Sequence, residues 1–181
     1  MKKHSKNKSI VDFKWIIIIV VSSFLISMIF TLISETAIPN VGIFIGIVLT
    51  LLFILIGVIF DMIGIAVATA DEAQFNSMVS KRVKGAKIAL KLKKNADKVS
   101  SFCNDVIGDI CGIVSGSTGA VIAIKIVENY KLNDLFITLI IMGIISAFTI
   151  GGKALEKGIA MKKSNKILFN FAKILSIFSK E

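Results

Sequence analysis

The chain has few of the residues from which most metal and catalytic sites are built. Its 181 residues include one histidine, His4, and two cysteines, Cys103 and Cys111. The cysteines are eight positions apart, which on a helix separates them by roughly 12 Å, too far for a disulfide. A metal site of thiolates and imidazoles is therefore excluded, and we expect both cysteines to be small buried hydrophobic side chains. No nucleophile stands beside a general base and no phosphate-binding glycine loop is present, so an enzyme is not expected.

Charged residues are sparse in four long stretches. Hydrophobic residues make up 55% of the chain and the mean hydropathy is +0.83, whereas a soluble domain is roughly 45–50% apolar. The apolar blocks cover residues 15–34, 41–70, 101–127 and 135–152. Crossing about 30 Å of hydrocarbon takes roughly 20 helical residues. We therefore predict an all-α integral membrane bundle of four transmembrane helices, in which residues 15–34 form an added N-terminal anchor.

Basic residues are concentrated in three segments between and beyond these blocks. The net charge is +10, with five lysines in a basic tail at 1–14, eight basic residues in 71–100 and seven from Lys153 onward. Four spans place all three segments on one side, and the positive-inside rule predicts that this side is cytoplasmic. Both termini are then cytoplasmic in a multi-pass protein of the cell (inner) membrane. Topology explains the charge, and aromatic residues for base stacking are missing, so no nucleic-acid partner is expected.

Two of the basic segments alternate lysines with apolar residues. This pattern predicts a basic surface helical hairpin at 71–100 and an amphipathic juxtamembrane helix at 160–180. Both would contact the lipid bilayer, where each lysine near an anionic leaflet contributes about 1 kcal/mol. The hairpin either binds anionic lipids or a soluble partner, or serves only as a topology signal with a solvated face.

Acidic and small residues recur on one face of the third apolar block: Asp105, Gly108, Asp109, Gly112 and Gly116. The three glycines form overlapping small-xxx-small steps, which let another helix pack closely. Each carboxylate would cost about 2.5–3.5 kcal/mol in contact with lipid near the bilayer centre. The two aspartates therefore either form a site for a hard cation such as Mg²⁺, or face water and hydrogen-bond to a neighbouring helix.

A third carboxylate, Asp61, interrupts the second apolar block. It has the same two interpretations as the aspartates of the third block. It is either an accessory group of a cation site or a single carboxyl group hydrogen-bonded inside the bundle.

Four segments, in order and spacing, resemble the transmembrane domain of the CNNM/CorC family. The similar stretches, with their family counterparts, are Thr69–Met78 (S-G-S-E-T-A-L-F-S-L), Lys84–Lys98 (K-R-A-K-A-A-L-K-L-L-E-N-P-D-R), Asn104–Ile110 (G-N-N-L-V-N-I) and Gly152–Leu155 (P-K-T-L). The resemblance covers roughly residues 56–181. It makes 41–181 a CNNM/CorC-like transmembrane module that follows the added anchor.

The resemblance implies a role in Mg²⁺ or Co²⁺ transport and a homodimer formed through the membrane domain. The family's ion site would fall on Asp105 in the third block and, at the end of the second block, on Thr69, Asp71 and Glu72. The family's glutamate on the last helix falls near Ile150, where this chain has no carboxylate.

Two functions follow from these patterns. The first is binding or movement of a divalent cation through an intramembrane site of carboxylates and hydroxyls, with Asp109 among the ligands and Asp61 as an accessory. The alternative is a non-transporting membrane scaffold or interaction protein that keeps the fold, whose basic loop contacts anionic lipid or a partner. A shared polar cavity that holds Asp105 and the 69–72 segment would favour the first.

Overall fold

Eight α-helices and one π-helical segment make up the part of the chain that the computed structural model describes, residues 13–37, 40–131 and 133–178. No strand occurs in these residues, so the predicted all-α class is confirmed. Most of the basic tail at 1–14 lies outside them. The elements are α1 Phe13–Ala37, α2 Ile43–Thr69, α3 Glu72–Ser80, α4 Ala86–Lys94, α5 Ala96–Ser101, the π-helical segment Phe102–Gly108, α6 Asp109–Tyr130, α7 Asp134–Lys162 and α8 Ser164–Phe178.

Four helical stretches are long and apolar enough to cross a membrane: Phe13–Thr36, Ile43–Thr69, Ala96–Tyr130 and Asp134–Lys162. This confirms the predicted membrane bundle of four spanning helices. The third stretch joins α5, the π-helical segment and α6, and it starts inside the region predicted as surface hairpin. α7 continues past Gly152 to Lys162, because glycine weakens a helix by only about 1 kcal/mol and no proline follows.

α2 is the central helix of the bundle and packs against α5, the π-helical segment, α6, α7 and α8. Small residues on its buried face allow this close packing. A Cβ atom added at Gly57 would lie only 3.0 Å from the Cβ atom of Cys111. Both Cys103 and Cys111 are free and buried, as the sequence predicts for small hydrophobic side chains.

α1 packs along α6 and the π-helical segment and is therefore part of the bundle. The Ser34 and Thr118 hydroxyls share a buried hydrogen bond of 2.9 Å. The rings of Phe30 and Phe53 make an edge-to-face contact with centroids 6.1 Å apart. These contacts give the anchor specific partners on the helices that follow it.

The helices α3, α4 and α8 form a packed layer at the end of α2. Phe75, Ala89 and Leu168 are fully buried in one cluster with Val67 of α2. The α3–α4 turn requires Gly85, whose φ is +84° and whose added Cβ atom would lie 3.3 Å from the backbone of α8.

A lysine of this layer binds the end of α2. The Lys93 ammonium group donates hydrogen bonds to the carbonyl oxygens of Ala68 (2.8 Å) and Val67 (3.3 Å). Because the last carbonyls of a helix lack partners within the helix, this contact fixes α4 against the end of α2.

Candidate functional site

A polar cavity of about 510 Å³ opens between α2, the start of the third span and the part of α7 from Ile150 to Lys157. It holds four of the chain's 12 acidic residues and two lysines, so its formal charge is negative. Ionisable side chains inside a membrane bundle mark a functional site by default, because they are costly to keep there. The lining residues are Asp61, Ile65, Asn104, Asp105, Asp109, Ile150, Lys153, Ala154, Glu156 and Lys157.

Asp61 is the most enclosed of the cavity's aspartates. It lies on α2 about two turns, or roughly 12 Å, before the helix ends at Thr69. Its side chain is 9% exposed. A Cβ atom added at Gly108 would lie 2.5 Å from the Asp61 Oδ1 atom, so the glycine leaves room for the carboxylate between the two helices.

Lys153 of α7 forms an ion pair with this buried carboxylate. Its Nζ atom is 2.7 Å from the Asp61 Oδ2 atom and 3.6 Å from the Asp109 Oδ1 atom. The Asp109 side chain is 65% exposed, so its longer contact contributes little. The contact with Asp61 is the strong one, since burial of that carboxylate makes an opposite charge necessary.

Two buried oxygen atoms of cavity-lining side chains have no hydrogen-bond partner among the described residues: Asn104 Oδ1 and Glu156 Oε2. Glu156 is only 4% exposed. A buried acceptor without a donor costs about 1–3 kcal/mol, and more when it is charged. Both atoms are therefore available to accept a hydrogen bond or to coordinate a cation.

The π-helical segment explains how Asn104 reaches this position. π-helical turns are rare and occur frequently at functional sites. The segment places Asn104 against α2, where a Cβ atom added at Gly64 would overlap the Asn104 Oδ1 atom. Asp105 lies beside it in the same segment and lines the cavity. The resemblance had placed the family's asparagine on Asp105, although the neighbouring residue is itself an asparagine.

The structure brings together Asp61, Asp105 and Asp109 of the carboxylates singled out in the sequence. In the described part of the chain, however, no three acidic, cysteine or histidine side chains are arranged to hold a metal ion by themselves. The Lys153 ammonium group lies between two of these carboxylates, those of Asp61 and Asp109.

The 69–72 segment does not line the cavity. The Thr69 hydroxyl donates to the carbonyl oxygen of Ile65 (2.8 Å). The Asp71 carboxylate caps α3 by accepting from the Ala73 N–H (2.9 Å), and the Asp71 N–H donates to Asn165 Oδ1 (2.7 Å). Glu72 is exposed in the first turn of α3. The resemblance-based ligands are thus divided between the cavity and the α2–α3 turn.

The three glycines predicted as a packing seam have different surroundings. Gly108 lies against Asp61 of α2. Cβ atoms added at Gly112 and Gly116 would meet nothing within 4 Å. Of these three glycines, Gly108 is therefore the one that packs closely against another helix within the described residues.

Sequence reasoning missed Lys153 and Glu156 as site residues. In the sequence, Lys153 is a basic residue that sets topology and part of the Gly152–Leu155 resemblance, with no predicted role in a site, and the fourth span is predicted to end at 152. A usable signal was present, because residues three apart on a helix lie on the same face and the helical pattern continues beyond Gly152.

The family model of the cyclin M (CNNM) transmembrane N-terminal domain matches residues 48–180. The match covers well over half of the chain, begins inside α2 and includes all the residues that line the cavity. No curated protein and no solved structure matches the chain. The resemblance seen in four short segments is thereby confirmed. The chain belongs to the CNNM transmembrane-domain family, a family of membrane proteins related to divalent-cation transport.

Proposed function

We propose that the cavity binds a divalent cation, with Mg²⁺ as the main candidate, as a step in the movement of this ion across the membrane. The observation that supports this most is the Asn104 side chain, which lines the same cavity as Asp61 and Asp105 and whose buried Oδ1 atom has no partner among the described residues. Amide and carboxylate oxygens are the ligands that hard cations prefer.

The size and charge of the cavity suit a hydrated ion. Mg²⁺ keeps several of its waters and is usually bound through one or two carboxylates. Six waters at about 30 Å³ each occupy roughly 180 Å³, which fits in a cavity of about 510 Å³. A compact cluster of three carboxylates is therefore unnecessary. Asp61, Asn104 and the exposed Asp105 would face the ion, and Asp109, which is also exposed, would lie near the entrance.

The proposal includes the orientation of the protein. The positive-inside rule supports cytoplasmic termini in the cell membrane, with the cavity opening toward the cytoplasm at the end of the bundle where α3, α4 and α8 lie. The lysines of α4 and α8 would contact anionic lipids. A homodimer and Co²⁺ as a second cargo rest on the family resemblance alone. We propose no nucleic-acid partner.

Two observations favour the second candidate function, a non-transporting scaffold. The 69–72 segment does not share the cavity with Asp105. The Lys153 ammonium group already gives the buried Asp61 carboxylate a counter-charge at 2.7 Å, without any metal ion. In that case the charged side chains of the cavity would form a structural ion-pair network, and neither Mg²⁺ nor Co²⁺ would bind.

Replacing Asp105 with asparagine separates these two functions. Asp105 lines the cavity but is outside the ion pairs of Lys153, so Asp105→Asn leaves that network in place. We expect the variant to weaken Mg²⁺ binding at least about tenfold, because one negative charge near the ion is lost. The measurement is isothermal titration of the full chain in detergent with Mg²⁺, after treatment with a chelator.

Two further variants complete the design. Asp97→Asn, on an exposed residue of α5, should leave the affinity as it is. Asp71→Asn keeps a good helix cap on α3 and tests the ligand set taken from the resemblance. A loss of affinity in Asp71→Asn but not in Asp105→Asn would move the site to the α2–α3 turn, and the absence of Mg²⁺ binding by the wild type would favour the scaffold.

A further inference from the structure

We propose that Lys153 is a tethered cation that competes with the divalent ion for Asp61, and that Glu156 is the partner to which its ammonium group moves when the ion binds. This inference rests on the proposed function of the cavity. Binding of the divalent ion then exchanges one cation for another at Asp61, because the ion replaces the Lys153 ammonium group.

In the structure, the Asp61 carboxylate is already occupied by the ammonium group of Lys153. The Lys153 Nζ atom lies 2.7 Å from Asp61 Oδ2, and the other oxygen of this carboxylate lies against Gly108. With a side chain that is 9% exposed, Asp61 has little surface left for a second cation. Because like charges repel strongly in a partly buried site, a divalent ion can bind Asp61 only when the ammonium group leaves.

The ammonium group has an alternative partner on its own helix. Glu156 follows Lys153 by three residues on α7, so the two side chains lie on the same helix face. Its Oε2 atom is buried and has no hydrogen-bond partner among the described residues. Lysine has a flexible four-carbon side chain, so the exchange requires rotamer changes and no movement of the helix.

The charges that line the cavity also favour the exchange. Four carboxylates and two lysines line the cavity, so its formal net charge with every group ionised is −2. One divalent cation on the Asp61 side, with Lys153 paired to Glu156, neutralises the cavity. The ion pair with Lys153 thus weakens binding of the divalent ion and helps its release, since the ammonium group is always present at the site.

The test compares Mg²⁺ affinity by isothermal titration of the full chain in detergent. We expect Lys153→Met to bind Mg²⁺ at least about tenfold more tightly than the wild type, because the competing cation is gone. Lys157→Met is the matched control, because it also removes a positive charge from the lining of the cavity. Lys157 takes no part in the ion pairs that Lys153 forms with Asp61 and Asp109. The control variant calibrates the general effect of charge and should tighten binding by no more than about threefold.

Removal of Lys153 leaves Asp61 buried without a counter-charge, which can destabilise the protein. Lys153→Gln keeps an N–H donor for Asp61 and serves if the methionine variant aggregates. Elution as a single species in size-exclusion chromatography shows that each variant is folded.

The role of Glu156 is tested with a double-mutant cycle. In the wild-type background, Glu156→Gln should weaken Mg²⁺ binding several-fold, because the displaced ammonium group loses its charged partner. In the Lys153→Met background the effect should shrink, since no ammonium group has to be placed. An equal loss in both backgrounds would show that Glu156 contacts the ion directly and would overturn the exchange.

The outcomes separate this inference from the proposed function. If the wild type binds Mg²⁺ and Lys153→Met binds it equally or more weakly, or Lys157→Met tightens binding as much, the tethered-cation role is wrong while the site remains. If only Lys153→Met binds, the ammonium group blocks the site in the wild type, and both the proposed function and the exchange are wrong. If neither binds, the proposed function fails and the inference with it.

Discussion

Phe75→Ala should lower the free energy of unfolding by about 3–5 kcal/mol, the usual range for a phenylalanine removed from a packed core. Phe75 is fully buried on α3, in one cluster with Val67 of α2 and Leu168 of α8. In a chain of this size the loss corresponds to a melting temperature lower by about 10 °C, measured by thermal unfolding in detergent. The hairpin would then lose its main apolar contact with the bundle.

Phe44→Ala is the matched control for this prediction. Phe44 lies at the start of α2 and is 78% exposed in the isolated chain, so it faces lipid and contributes little to internal packing. If both variants melted at the same temperature, α3, α4 and α8 would be separate surface helices and not a packed layer.

Gly64→Ala should disrupt the cavity although it adds only one methyl group. The added Cβ atom would overlap the Asn104 Oδ1 atom and would lie 2.7 Å from Asn104 Cγ and 3.1 Å from the Ser100 carbonyl oxygen. Overpacking of this kind costs about 1–3 kcal/mol or more, against a gain in helix propensity of about 1 kcal/mol. Asn104 must leave its place, so we expect Mg²⁺ affinity to fall at least about tenfold.

Gly112→Ala is the control for Gly64→Ala. It adds the same methyl group within a helix, but at a position where a Cβ atom meets nothing within 4 Å. We expect an unchanged or slightly higher melting temperature and wild-type Mg²⁺ affinity. Wild-type binding by Gly64→Ala, measured by the same titration, would show that Asn104 is not part of the site.

The spans and all three cavity aspartates could be picked out from the sequence, because both depend on local patterns. Hydropathy marks the four helices, and helical spacing places Asp105 and Asp109 on the same side of the third span. The contribution of Asn104 could not be predicted in this way, since the π-helical segment at Phe102–Gly108 changes the number of residues per turn at that point.

Residues that act through tertiary contacts were harder to place. Lys153 matches the expectation for a basic residue at a helix end, and only the packing of α7 on α2 shows that it reaches Asp61. The 69–72 segment is close to Asp61 in the sequence, but α2 ends at Thr69, and the next residue, Ala70, has an extended backbone. The chain then turns Asp71 toward the start of α3, away from the cavity.

The central claim, that this cavity binds a divalent cation, is tested most directly by locating the ion. Mn²⁺ accepts the same oxygen ligands as Mg²⁺ and scatters anomalously, so crystals of the full chain grown with Mn²⁺ would show its position. We predict one anomalous peak in the cavity beside Asp61, Asn104 and Asp105. A peak at Thr69–Glu72 instead, or none in the cavity with the Lys153–Asp61 pair intact at saturating Mn²⁺, would contradict the claim.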